Sequence, residues 1–216
     1  LYASLTPLRL ITIPAFARLT QVGGLLAATN QLGPYGFSQD IEGFRRFNTS
    51  QFQMTATRIF GGLLGADQAT LVAEGAVGHT HDFPEQSVLR LEGPGTYVSG
   101  NNVHQVATVQ PSTEPASAFP DATAWGYQLA GRLEYNNAIK GVNLAPRISW
   151  AHDVSGLSPG PGGNFIEGRK ALTVGLAGIF RLSWEVDVSY TRFSGGDRYN
   201  LINDRDFIAT SLKYSF

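Results

Sequence analysis

Four histidines are the residues whose type and spacing most directly suggest chemistry: His79, His81, His104 and His152. On a strand, His79 and His81 share a face, which suits a metal site, and the adjacent His152 and Asp153 suggest a base that activates water. However, a strand predicted between the two groups separates them by about 10 Å. Neighbouring residues of a strand also point to opposite faces, so His152 and Asp153 diverge. We therefore predict no enzyme, no metal site and no cofactor, and keep a hydrolase only as a third hypothesis.

Charged residues at alternate positions form a second group. Both signs are interleaved, and all of these side chains fall on the polar side of predicted strands: Glu74, Arg132, Glu134, Arg147, Arg181, Glu185, Asp187 and Lys213. Charges that face a water-filled pore select solutes, whereas charges that pair with one another stiffen the wall around it. Both interpretations stay open. The turn at Leu182 predicts Arg181 opposite or diagonal to Glu185.

The elements that position these residues are strands, and the C-terminal segment gives the clearest pattern. Apolar and polar residues alternate strictly there, with Ile208, Thr210, Leu212, Tyr214 and Phe216 on one face and Ala209, Ser211, Lys213 and Ser215 on the other. About ten residues with this period cross a bilayer as one tilted strand. Six further segments alternate in the same way: 51–60, 68–79, 125–135, 142–153, 171–181 and 184–191. Pro146 cannot donate a ladder hydrogen bond, so we predict a bulge there.

Composition favours a membrane over water as the surroundings of these strands. Charged residues are 15% of the chain, below the roughly 25% of soluble domains, and no run of about 18 apolar residues exists for a transmembrane helix. Aromatic residues gather at strand ends, as in the girdles of outer-membrane barrels: Trp125, Tyr135, Trp150, Trp184, Tyr190, Tyr214 and Phe216. The sequence therefore predicts an all-β, antiparallel up-and-down transmembrane β-barrel in the outer membrane of a Gram-negative bacterium, in contact with outer-membrane lipid.

Other classes find little support. The chain has no cysteine, so no disulfide or thiolate chemistry is available. Its formal net charge is -1, and no basic stripe suggests nucleic acid as a partner.

The lengths of the connections orient the predicted barrel. Short segments at 62–67, 136–141 and 182–183 alternate with long ones at 81–123, 155–168 and 194–206, as periplasmic turns alternate with extracellular loops. The C-terminus is then periplasmic. We predict an extracellular loop region with a partial strand at 1–49 and transmembrane hairpins at 50–216. Loop 81–123 is long enough to fold as a constriction or plug. Because barrels usually close with an even number of strands, seven or eight strands here predict an incomplete C-terminal segment.

Several motifs resemble a known family. They are Leu64-Gly65-Ala66-Asp67-Gln68, Glu92-Gly93-Pro94-Gly95-Thr96-Tyr97, Trp150-Ala151-His152-Asp153-Val154 with Ser158-Pro159, Phe165-Ile166-Glu167-Gly168-Arg169, and Asp204-Arg205-Asp206-Phe207. From about Ser50 to Phe216, the chain resembles the C-terminal third of the proteobacterial outer-membrane family catalogued as domain of unknown function 1302. The resemblance implies an outer-membrane channel and, as partners, inner-membrane exporters of hydrophobic molecules. It implies no catalytic residue.

Together these observations predict passive transport or export of small hydrophobic or amphipathic solutes. A non-conducting structural or surface-binding barrel is the alternative. The final strand, which ends on Phe216, resembles the signal read by the barrel-assembly machinery, which we expect as a further partner.

Overall fold

Nine strands account for the regular structure of the part of the chain that can be described. A computed structural model describes residues 2–4, 38, 40, 44–96, 112–160, 163–181 and 183–216. The strands are β1 (Tyr2–Ser4), β2 (Phe44–Arg46), β3 (Thr49–Gly61), β4 (Gln68–Thr80), β5 (Thr123–Ile139), β6 (Val142–Ser155), β7 (Lys170–Phe180), β8 (Trp184–Ser194) and β9 (Phe207–Tyr214). Short 3-10 turns lie at Leu63–Gly65, Ala116–Ala118 and Asp197–Tyr199.

The strands form two antiparallel sheets. A small sheet pairs β1 with β2, and a seven-stranded sheet has the order β3-β4-β5-β6-β7-β8-β9. Each strand of the larger sheet lies beside its neighbour in sequence, which is the order that consecutive hairpins produce. The seven predicted strands and their antiparallel arrangement are thus confirmed.

The predicted bulge at Pro146 is wrong. The register of β6 against β7 runs without interruption from Val142 opposite Phe180 to His152 opposite Lys170, and it places Pro146 opposite Leu176. Towards β5 the register is the same on either side of the proline, although no pair is formed at Pro146 itself. The missing N–H therefore removes a ladder contact without inserting a residue. The register shifts of β5 lie instead between Trp125 and Gly126 and between Tyr135 and Ile139.

Short connections close one end of the sheet and long connections the other. The short ones follow β3, β5 and β7, while segments 81–122, 156–169 and 195–206 are long. The turn between β5 and β6 has left-handed backbone at Gly141 (φ 88°), and Asn137 (φ 51°) adopts it near the end of β5. It is held by the Asn137 side-chain oxygen, which accepts a hydrogen bond from the Gly141 N–H at 2.6 Å. Asn and Gly are the residues that adopt this conformation most readily.

The chain divides into two compact units. The strand unit comprises Gln51–Val77, Trp125–Ser155 and Glu167–Phe216. Its buried apolar residues are small, such as Ala145 and Ala177, whereas Val186, Leu212 and Ile208 are 50%, 67% and 71% exposed. This distribution is the reverse of a water-soluble sheet, in which large apolar side chains are the buried ones.

The loop unit comprises Leu1–Ser50, Gly78–Ala124 and Gly156–Ile166. Within its described part, Leu91, Phe119 and Leu157 are buried, and Phe47, Phe83 and Leu89 pack against Leu91. The hydroxyl of Thr96 donates to the Ala118 carbonyl at 2.9 Å. The two long connections therefore build a small apolar core of their own.

The predictions for residues 1–49, including the partial strand, fall mostly outside the described residues, as do His104, Leu182 and the middle of loop 81–123. Among the described residues, no helix is long and apolar enough to cross a membrane.

Candidate functional site

The register brings most of the predicted charged residues to one face of the strand unit. Residues directly opposite one another in antiparallel strands share a face, as do residues two apart on one strand. Arg132 of β5 lies opposite Arg147 of β6. Asp187 of β8 lies opposite Ala177 of β7. Ala177 in turn lies opposite Ala145, which is two residues from Arg147 on β6 and so shares its face. The same relations add three more residues. The polar face therefore carries Arg132, Glu134, Arg147, Glu185, Asp187 and Lys213.

An ion pair between Arg147 and Asp187 spans three strands of this face. Arg147 Nη2 donates to Asp187 Oδ1 at 2.7 Å, and Nη1 pairs with Oδ2. The guanidinium reaches β8 by passing over Gly175 on β7, where an added Cβ would lie 2.7 Å from the guanidinium carbon. The two side chains are only 33% and 22% exposed. A bidentate, partly buried pair of this kind is well ordered and resists competition from water.

Two weaker ion pairs lie beside it. Lys213 Nζ is 3.7 Å from Glu185 Oε2, and Arg132 Nε is 3.2 Å from Glu134 Oε1. Their side chains are more exposed than those of Arg147 and Asp187, so water screens these pairs and they contribute less to stability. The face thus carries one partly buried, bidentate ion pair and two more exposed pairs.

Glu74 joins the same face through hydrogen bonds to neutral residues. Thr55 Oγ1 donates to Glu74 Oε2 at 2.9 Å, and Gln128 Nε2 donates to Oε1 at 3.0 Å. Gln128 lies four residues from Arg132 in uninterrupted register, which places it on the polar face. Glu74 is therefore held across β3, β4 and β5.

Arg181 stands apart from the other candidates. It lies in the turn after β7 with φ 50°, two residues beyond Ile179, which faces Glu185. Its guanidinium carbon lies 4.9 Å from the centroid of the Phe180 ring, while Glu185 pairs with Lys213. Whether these charged residues line a pore remains a prediction.

The opposite face of the sheet is mainly apolar, with Arg192, Lys170 and His152 on it only near the long connections. Val186 lies opposite Leu212, Tyr190 opposite Ile208, and Leu172 opposite Trp150. These positions alternate along the strands with those of the polar face. All the residues for which we expect lipid contact share the apolar face: Trp150, Leu172, Val174, Val186, Val188, Ile208, Leu212 and Tyr214.

The predicted girdle aromatics fall into two groups along the strands. Trp184 and Tyr214 stack at the short-turn end with ring centroids 4.6 Å apart, and Phe216 lies 6.3 Å from Tyr214. Tyr135 belongs to the same end, where its hydroxyl donates to the Leu64 carbonyl at 3.1 Å. The other group lies towards the long connections and contains Trp125, Trp150 and Tyr190. Trp150 Nε1 donates there to the Tyr127 hydroxyl at 3.3 Å.

Asp206 holds the loop between β8 and β9. Its carboxylate accepts hydrogen bonds from the Phe193 backbone N–H and the Tyr190 hydroxyl, each at 2.8 Å. These donors, the backbone N–H first, hold the pKa of Asp206 below its ordinary value because they stabilise the ionised form. The loop is therefore fixed at its base by a charged group.

His79 and His81, in the loop unit, contact each other and two hydroxyls. The rings of His79 and His81 are 4.9 Å apart, His79 Nδ1 lies 2.8 Å from Thr123 Oγ1, and His81 Nε2 lies 2.7 Å from Ser50 Oγ. In hydrolases a serine nucleophile is activated by a histidine base, and a third side chain holds that histidine in orientation. His152, in the strand unit, packs at 5.6 Å against Tyr127. Among the residues that the structure describes, no group of three or more histidines and acidic residues could hold a metal ion.

Sequence reasoning missed the side-chain contacts between different strands. The donors to Glu74 come from β3 and β5, and the space above Gly175 matters only because Arg147 crosses it. The one available signal was that the alternate positions on the polar face carry glycine and alanine as well as charged residues. That signal shows where space exists without showing what fills it.

Comparison with known proteins adds a family and no activity. The sequence model of the family described as "Protein of unknown function (DUF1302)" matches residues 10–216. No curated protein and no solved structure matches the chain.

Proposed function

The chain belongs to the DUF1302 family, and from that premise we propose that its strand unit is part of an outer-membrane β-barrel channel for small solutes. The observation that carries the proposal is the contrast between the two faces of one sheet. Large apolar side chains are exposed on one face, and charged and hydroxyl side chains occupy the other. An exposed apolar area of this extent is rare on soluble monomers and is typical of a surface that meets lipid.

Strand length and edges support the same proposal. Strands β3 to β8 have 11 to 17 residues, and about 9–11 residues suffice to span a bilayer. Strands β3 and β9 stand at the two ends of the sheet order. In lipid an unpaired edge leaves backbone groups without hydrogen bonds, so we propose a closed barrel in which both edges are paired.

The proposed route is passive. Exposed charges on the polar face, such as Lys213 and Glu185, act on passing solutes, and small hydrophobic or amphipathic molecules are the proposed cargo. Outer-membrane lipid, the barrel-assembly machinery and an inner-membrane exporter are the proposed partners, with the C-terminus in the periplasm.

Single-channel recording of the full-length protein in planar bilayers tests this proposal. We expect stepwise currents, and we expect Lys213→Glu to shift selectivity towards cations because Lys213 is 70% exposed on the polar face. The matched control is Lys140→Glu, a charge reversal in the short turn after β5, which should leave selectivity nearly unchanged. Bilayers that hold inserted protein but show no steps would contradict the channel.

One observation favours the alternative of a non-conducting structural or surface-binding barrel. The charges of the polar face are largely paired with one another, as in a wall that closes its own lumen. Inserted protein without current would support this alternative.

A further inference from the structure

We propose that the polar face binds an amphipathic organic cation, with the cationic group at Glu74 and the apolar part against Phe193 and Phe207. The inference rests on the proposed channel function, because it names the class of solute. It is carried by a carboxylate whose described partners are neutral, by an aromatic pair on the face that bears the charged residues, and by the small residues between them.

Glu74 differs from the other carboxylates of this face in its partners. Arg132, Arg147 and Lys213 pair with Glu134, Asp187 and Glu185, and Arg169 Nε contacts Asp153 Oδ2 at 2.7 Å. Glu74 instead accepts hydrogen bonds from Thr55 and Gln128. Within the described residues, no cation lies within ion-pair distance of it. A carboxylate whose hydrogen-bond donors are neutral can still form a charge-assisted contact with a bound cation.

Phe193 and Phe207 are aromatic residues on the polar face. Phe207 lies directly opposite Thr191, which shares the polar face with Asp187, and Phe193 is two residues from Thr191. Their ring centroids are 6.3 Å apart, and Phe207 is 49% exposed. Facing rings at this distance offer an apolar surface on the side of the sheet where the charged residues lie.

The two features lie at the same level of the sheet. Gln128, which hydrogen-bonds Glu74, begins a row of residues that lie directly opposite one another on neighbouring strands. The row continues through Ala151 and Ala171 to Phe193. The surface between Gln128 and Phe193 therefore consists of the alanine methyl groups. In the next row, the hydroxyls of Thr173 and Thr191 hydrogen-bond to each other at 2.9 Å.

This arrangement selects by charge and by length. Strands β4 and β8 are four strand spacings apart, about 19 Å along the sheet. Contact distances of about 4 Å at each end leave roughly 11 Å for the ligand itself, so a cation with a chain of about ten carbons can place its charge at Glu74 and its apolar end on the phenylalanine rings. A matched anion would be repelled by Glu74, and a small cation without an apolar part would lose the contact with the rings.

Isothermal titration calorimetry of the full-length protein in lipid nanodiscs tests the site without requiring conduction. The probes are decyltrimethylammonium, decylsulfonate and tetramethylammonium, each corrected with empty nanodiscs. We expect decyltrimethylammonium to bind the unaltered protein at least about tenfold more tightly than the other two. Equal binding of decyltrimethylammonium and decylsulfonate would overturn the proposal, and this comparison needs no variant.

Variants then locate the site. Glu74→Gln keeps the size of the side chain and should weaken decyltrimethylammonium binding about tenfold, as should the paired substitution Phe193→Ala with Phe207→Ala. The controls are Glu85→Gln, a carboxylate of the loop unit, and Phe52→Ala, at a position three residues from Thr55 and therefore on the opposite face of β3. Both should bind like the unaltered protein. Unchanged binding by Glu74→Gln would overturn the site.

The outcomes separate this inference from the channel proposal. Charge-selective binding in nanodiscs without current in bilayers would support the site and contradict conduction. Current without any preference among the three probes would support the channel and overturn the site.

Discussion

The hydrogen atom that serves as the side chain of Gly175 leaves the space that Arg147 crosses to reach Asp187. A Cβ at that position would lie 2.7 Å from the guanidinium carbon and 2.9 Å from Nη2. Since real Cβ atoms do not approach so closely, any larger residue must displace the arginine from its bidentate geometry. The bidentate ion pair therefore depends on the absence of a side chain at Gly175.

The first prediction is that Gly175→Ala destabilises the folded protein. We expect a loss of about 1 kcal/mol in the free energy of unfolding, because the weakened charged hydrogen bonds outweigh the small gain from restricting the unfolded chain. Urea unfolding of protein folded into lipid vesicles measures it. The control is Gly178→Ala, where an added Cβ meets only ordinary contacts at 3.8 and 4.0 Å.

A double-mutant cycle sharpens this prediction. If Gly175→Ala acts through the ion pair, it should cost much less in an Asp187→Asn background than in the unaltered protein. Costs that simply add would show that Gly175 and Asp187 are independent.

The second prediction concerns Asp206 and pH. The pKa of Asp206 is depressed by the Phe193 N–H and the Tyr190 hydroxyl, so its contribution is fully present above the ordinary value of about 3.9. The contribution is lost as pH falls through the folded-state pKa. We expect Asp206→Asn to lower the Tm near neutral pH, with the difference from the unaltered protein shrinking below about pH 4. A difference that stays constant down to the lowest measurable pH would contradict this role. The control is Asp204→Asn, a nearby acidic residue in the same loop.

At the scale of elements, strand β9 combines regular pairing with the proposed assembly signal. Strand β9 pairs with β8 along its whole length, from Phe207 opposite Thr191 to Tyr214 opposite Trp184. Beyond it, the Ser215 N–H donates to the Ser183 carbonyl at 2.8 Å, whereas the Phe216 side chain is fully exposed. The last aromatic ring therefore contributes little to packing within the chain.

The third prediction separates assembly from stability. Deleting Phe216 should sharply reduce the amount of protein in the outer membrane of cells, yet leave folding into detergent near normal. Immunoblots of outer-membrane fractions and heat-modifiability on gels measure the two effects. Phe216→Tyr, which keeps an aromatic ring, is the control and should assemble normally. Equal losses in both assays would remove the recognition hypothesis.

Most strands were predictable because alternation is a local property. The period-2 pattern of the C-terminal segment predicts Phe207–Tyr214, and the same pattern predicts the six other strands of the large sheet. The predicted bulge failed because a proline can be accommodated by omitting one contact, a choice that depends on the neighbouring strand. Local sequence indicates that a donor is missing, but the partner strand decides how the sheet adapts.

At the scale of the whole molecule, sequence separated the two faces but did not identify the partners on each. Alternation predicts one face for the eight charged candidates. The strand register places six of them on the polar face, and the hydrogen bond from Gln128 places Glu74 there as well. The pairing of Arg147 with Asp187, 40 residues away, depends on the mutual register of β6, β7 and β8. Registers are set by long-range strand pairing, which one sequence does not reveal.

Cysteine labelling measures most directly which face of the strand unit meets lipid and which meets water. Single cysteines at Leu172, Val174, Val186 and Val188 of the apolar face, and at Thr173, Glu185, Ser189 and Ser211 of the polar face, would be placed in protein reconstituted in liposomes. A membrane-impermeant thiol reagent should label the polar-face positions quickly and the apolar-face positions slowly, alternating residue by residue along β7 and β8. Equal labelling of the two faces, or faster labelling of Leu172 and Val174 than of Glu185 and Ser189, would contradict a lipid-embedded sheet with a water-facing polar side.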